Sequence, residues 1–157
     1  MKYNTQTDSN WKKDIMTEGK INNIQWIDRI GRWGCVVTCL ANIEQAHSGI
    51  EFTPRNMNNL IVGHNGYWIL SGKTDKESNA SFVDWDVVKG ILLFDVFNDV
   101  EYKEGYNIAR VILNGGGHYI NIIKKEKDLY LCFDVNDGEL KYYKESDIKK
   151  IIRIEFM

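Results

Sequence analysis

Beyond Ile91 the apolar residues of this chain change their spacing, and that change limits the fold more than any other feature. Runs rich in β-branched and aromatic residues at 108–113, 119–123, 129–133 and 140–143 read as strands. Asn136-Asp137-Gly138 is a hairpin signal between the last two. Ser146-Asp147-Ile148 starts a final helical turn, and 151–156 is expected to close the sheet as an edge strand. Before Ile91 the pattern is helical. Val36, Val37, Leu40, Ala41 and Ile43 give a buried face to a helix over 35–47. Phe52-Thr53-Pro54 starts a second helix, since Thr53 can cap orphan N–H groups and Pro54 suits the first helical position. That helix should run to about Ile61 and be ended by Gly63, and a short third begins at Asp84-Trp85-Asp86-Val87-Val88. Helices first and antiparallel strands second make an α+β domain. The polar segment 6–30, anchored by Trp11 and Trp26, is expected to form loops and short pieces, and 64–80 a long loop.

A length of 157 residues with 43% hydrophobic and 12% aromatic content suits one domain, 1–157, with a single core. Twenty basic against 22 acidic residues leave a net charge of -2, which argues against general affinity for nucleic acid or an anionic membrane. The first residues lack the apolar stretch of a signal peptide, and the longest apolar run, 91–94, is far too short to span a bilayer. A soluble chain made in the cytoplasm is the expectation. Three cysteines, an odd number, do not suggest a disulfide framework, and all read as reduced thiols.

One of those thiols stands apart. In Gly31-Arg32-Trp33-Gly34-Cys35, a glycine-punctuated turn delivers Cys35 to the first turn of an apolar helix, where unpaired backbone N–H groups and the helix dipole stabilise a thiolate. A free cysteine is more often a small buried hydrophobe. Such a residue needs neither Gly34 before it nor a helix start beneath it, and Cys39 and Cys132 fit that role better. Attack by sulfur on a carbonyl also needs a histidine, a group that orients it, and donors for the oxyanion. His118 follows three glycines at the mouth of an apolar strand, where the missing side chains let a neighbour approach closely. His47 and His64 lack such a setting. Asp134 ends the next strand and can orient the imidazole, with Asn136 as a rival. Asp137 suits the turn with Gly138. The Cys35 N–H is one oxyanion donor, and Gln6 or Gln25 can supply a second. Zinc at Cys35 and Cys39 is a weak reading, because C-x-x-x-C on one helix lacks a second ligand pair.

With these residues in view, the chain resembles the cysteine peptidases of family thirty-nine, the bacteriocin-processing (double-glycine leader) peptidase-like proteins of the papain-fold clan. It is most similar to their stand-alone branch in bacteria and phages. The likeness rests on Gln6-Thr7-Asp8-Ser9-Asn10-Trp11, like that branch's Q-x-D-x-x-W opening, and on Ile30-Gly31-Arg32-Trp33-Gly34-Cys35 with Thr38-Cys39-Leu40-Ala41. Phe52-Thr53-Pro54, Gly117-His118-Tyr119 and Asp134 complete it, in order, over nearly the whole chain. Val36, Cys39 and Val135 stand where the family often has Gly or Ala, Ser, and Pro.

The resemblance implies a papain-like fold with the nucleophile helix and smaller helices packed on an antiparallel sheet. It makes Cys35 the nucleophile, His118 the base, Asp134 the orienting residue and Gln6 the oxyanion-hole glutamine, so Gln25 loses its claim. The activity implied is hydrolysis of a peptide or protein substrate through an acyl-enzyme, with no metal or organic cofactor. Two other outcomes use the same residues. One is a catalytically inactive papain-fold protein that binds a host protein or small molecule in its cleft. The other is acyl transfer to an amine in place of water.

Overall fold

The polar segment before Ile30 is more regular than its composition suggests. In the computed structural model, which describes residues 2–21, 23–69 and 81–157, strands β1 (Ile15–Ile21) and β2 (Ile24–Arg29) form an antiparallel hairpin. Asn23 takes the left-handed conformation at the turn (φ 62°), one that asparagine tolerates. Met16 and Trp26 turn inward and are buried. The expected loops over 6–30 are thus confined largely to its first half.

A four-residue helix α1 (Ile30–Trp33) leads through Gly34 into α2 (Cys35–Ser48). A Cβ on Gly34 would come within 2.6 Å of the Ile30 carbonyl, so glycine is what allows the chain to break one helix and start the next so abruptly. Val37, Cys39, Leu40 and Ala41 bury the inner face of α2, each large side chain contributing about 1.5–3 kcal/mol. Helix α3 (Pro54–Gly63) starts as expected. The Thr53 hydroxyl accepts from the Asn56 N–H at 3.2 Å, and the Asn56 side chain accepts from the Thr53 N–H at 2.9 Å.

Part of the expected loop over 64–80 is strand: β3 (Tyr67–Ile69) pairs antiparallel with β4 (Ser81–Val83). Residues 70–80 lie outside the described residues. Helix α4 (Trp85–Leu92) follows, capped by Asp84.

The remaining strands are β5 (Phe94–Asn98), β6 (Tyr106–Leu113), β7 (Gly116–Glu126), β8 (Leu129–Phe133), β9 (Leu140–Lys144) and β10 (Lys150–Phe156). They form one antiparallel sheet in the order β5-β10-β6-β7-β8-β9. The last strand is therefore not the edge that was expected. Ile151 faces one side of the sheet and Ile152 and Ile154 the other, and all three are buried. A strand buried on both faces belongs inside a sheet, and β5 covers its outer side. A single 3-10 turn over Glu145–Asp147 precedes it.

Mixed α and β with a large antiparallel sheet is the α+β class. The main core lies between α2, α3, α4 and the sheet, and a second apolar cluster on the far face includes Val111, Ile120, Tyr130 and Cys132. Among the described residues no helix is long and apolar enough to cross a membrane.

Candidate active site

Cys35 is the first residue of α2 and is only partly buried. The first intrahelical bond runs from the Thr38 N–H to the Gly34 carbonyl at 2.9 Å, so the N–H groups of Cys35, Val36 and Val37 precede the ladder. The other two sulfurs differ sharply. Cys39 is fully enclosed, and burial, with Cys35 and Asp134 adding, holds it as a neutral thiol. Burial and then Asp134 push the Cys132 thiol up to about 12.

His118 is buried on β7, and its Nε2 donates to Asp134 Oδ1 at 2.8 Å. The Cys35 side chain lines the same cleft as the ring and favours its charged form. With Nε2 committed to the carboxylate, Nδ1 is the nitrogen left for sulfur. Burial works against protonation of the ring, but the hydrogen bond to Asp134 and the influence of Cys35 outweigh it and push its pKa up to about 9.

Asp134 is enclosed and nevertheless ionised. Burial disfavours its charge, yet His118, the Asn136 N–H (2.9 Å to Oδ1) and Lys141 Nζ (3.1 Å to Oδ2) hold it well below the usual carboxylate range. Asn136, the rival for this role, contributes its backbone instead. Asp137 takes the expected turn position, accepting from the Glu139 N–H at 3.0 Å, and Gly138 has φ 77°.

Lys141 was not singled out in the sequence, and it is the residue that satisfies the second oxygen of Asp134. The hairpin signal at 136–138 could have found it, because the β8–β9 register sets Lys141 opposite Cys132, two residues from Asp134. Replacing Lys141 with methionine is expected to destabilise the protein by about 1–3 kcal/mol, the cost of a buried acceptor left unpaired. Urea unfolding at pH 7 measures this, and an unchanged midpoint would show that Oδ2 does not depend on the ammonium.

The site also makes stability depend on pH. The folded pKa of His118 lies above the ordinary 6.5, so the stabilisation from its protonation is complete below that value and lost as pH rises through about 9. Asp134 is shifted the other way, and its contribution, present at neutral pH, is lost on acidification through the carboxylate range and below. Thermal unfolding followed from pH 6 to 10 should show the alkaline decline in the wild type and a smaller one in His118→Gln.

Gln6 reaches the same place from the other end of the chain. Its backbone N–H donates to the Val135 carbonyl at 2.7 Å, and its buried side chain donates through Nε2 to the Gly31 carbonyl at 3.2 Å. One N–H of the amide remains for another acceptor, and Oε1 accepts nothing among the described residues. Gln25 lies exposed on β2, away from the cleft.

A set of buried amides that the sequence reading missed locks these pieces together. Asn42 on α2 donates to Asn121 Oδ1 on β7 at 3.0 Å and to the Asn4 carbonyl at 3.1 Å, and accepts from the Asn4 N–H at 2.7 Å. Asn121 in turn donates to the Cys39 carbonyl at 3.1 Å. Helix α2, strand β7 and the segment bearing Gln6 are thereby held in one register.

Gln6, Cys35, His118 and Asn136 line a common cleft of about 580 Å³, and Trp33, Val83 and Leu113 supply apolar wall. His47 is exposed and stacks on Phe156, and His64 bonds the Leu60 carbonyl on the surface; neither lines the cleft. Among the described residues no group of three or more His, Cys, Asp or Glu side chains is arranged to hold a metal ion. Compared with known proteins, the chain matches no protein-family model and no curated protein.

Proposed function

We propose that this protein is a papain-like cysteine peptidase or amidase that hydrolyses a peptide-like amide. The observation that carries the reading is the placement of His118, hydrogen-bonded to a buried carboxylate and lining one cleft with a helix-start cysteine. No structural demand of the core accounts for a charged relay of this kind at the floor of an open cleft.

In the proposed mechanism the Cys35 thiolate forms a bond to the amide carbonyl carbon, and the carbonyl π electrons move to oxygen. The Cys35 N–H and the free N–H of Gln6 donate to that oxyanion. Collapse expels the amine, which takes its proton from the His118 imidazolium, and leaves a thioester on Cys35. His118, now neutral, takes a proton from water as its oxygen attacks the thioester, and the C–S bond breaks to release the acid product and regenerate the Cys35 thiolate beside the imidazolium. Asp134 holds the ring throughout, and Lys141 holds Asp134.

Removing the amide in Gln6→Ala is expected to lower kcat about a hundredfold or more, with a smaller effect on KM, because the donor serves the oxyanion rather than the bound ground state. Steady-state kinetics decide it, and a KM effect alone would assign Gln6 to binding.

The test of the reading is product analysis. Wild-type protein incubated with a mixed peptide library should release new α-amino termini, and Cys35→Ala should release none. No product from the wild type, with Cys35 alkylated no faster than a free cysteine, would favour a protein that holds a partner in this cleft without turnover.

A further inference from the structure

Resting on the amidase reading above, we propose that Arg110 makes this cleft selective for substrates that place a carboxylate beside the scissile amide. Arg110 lies on β6 and lines the cleft together with Cys35 and His118. Its guanidinium covers Gly117, the residue immediately before the histidine. A Cβ at Gly117 would come within 2.6 Å of Nη2, 2.7 Å of Nε and 2.9 Å of Cζ, so the guanidinium lies directly against the glycine, its Nε–Nη2 side nearest. That close approach is what Gly117 permits. It fixes a positive charge in the wall of the cleft that His118 also lines.

Among the described residues the fold does not use this charge. Arg55 pairs with Asp14, Arg153 with Glu155, and Arg29 donates to the Lys13 carbonyl. The Arg110 guanidinium has neither a hydrogen bond nor an ion pair among the described residues, and no Asp or Glu stands among the described residues of the cleft wall. Nor does the catalytic group supply a counter-charge, since Asp134 already faces both His118 and Lys141. A half-buried guanidinium, opening on a cleft whose described residues include no Asp or Glu, is suited to hydrogen-bonding a carboxylate. That carboxylate can be an Asp or Glu side chain or the terminus of the substrate.

Peptide pairs differing only as Asp/Asn, Glu/Gln, or C-terminal acid/amide separate these sources. Their binding is read without turnover, as protection of Cys35 from iodoacetamide, in wild type, Arg110→Met and Gly117→Ala. In the wild type one class of acid should protect at about tenfold lower concentration than its amide, the value of one charge-assisted contact. Arg110→Met should erase the difference. Gly117→Ala, which displaces the guanidinium but keeps its charge, should reduce it and covers the case in which Arg110→Met does not fold. Equal protection by acid and amide in the wild type, or a preference that survives both substitutions, overturns the proposal. Cleavage of the same peptides separates the two claims. Charge-selective protection without any cleavage leaves Arg110 its role and removes the hydrolase reading, whereas cleavage indifferent to charge does the reverse.

Discussion

His118→Ala is expected to lower kcat/KM for amide hydrolysis by at least about a thousandfold, because in the proposed mechanism one side chain serves as acid for the leaving amine and as base for water. The loss should not come from unfolding. Asp134 keeps its bonds from the Asn136 N–H and Lys141, and Asn42 and Asn121 still tie α2 to β7. Circular dichroism and the unfolding midpoint check the fold, and steady-state kinetics on the best library peptide check the rate. Activity within tenfold of the wild type in a folded variant would show that the imidazole is not the proton carrier.

Asp134→Asn is the second large effect, about a hundredfold or more in kcat. An amide has one oxygen where the carboxylate has two acceptors. If that oxygen faces His118 and the Asn136 N–H, the NH2 group meets the Lys141 ammonium, donor against donor. Turned over, the NH2 faces His118 Nε2 and forces the ring into the other tautomer, with its proton on the nitrogen needed for sulfur. Either arrangement also removes the negative charge that helps hold the imidazolium, so the alkaline limb of the pH–rate profile should move below about 9. The double variant Asp134→Asn, Lys141→Met relieves the first clash and should recover part of the loss. A single variant with unchanged rate and pH profile would remove Asp134 from the mechanism.

The elements legible in the sequence were those with strong local signals. A continuous apolar face marked α2, Thr53-Pro54 marked the start of α3, and Asn136-Asp137-Gly138 set the β8–β9 hairpin. The hairpin β1–β2 was harder to see because its turn lacks glycine and its inward side chains, Met16 and Trp26, are widely spaced among polar ones. Strand β10 was read as an edge because its neighbour β5 is short and follows directly on the apolar end of α4. Cys35, His118, Asp134 and Gln6 each sit at a helix start, strand mouth, strand end or anchored segment, and the structure brings all four to one place. Lys141, Arg110 and the Asn42–Asn121 pair carry no such punctuation. Their roles follow from sheet register and from how α2 lies on β7, which only the assembled fold fixes.

The most direct test of the account is the rate of Cys35 alkylation by iodoacetamide as a function of pH, in the wild type and in His118→Ala. A sulfur paired with this imidazole should react much faster in the wild type at neutral pH and show a further step near pH 9, where His118 gives up its proton. Superimposable profiles, with no step near pH 9 in either protein, would mean that the two side chains do not act as a pair.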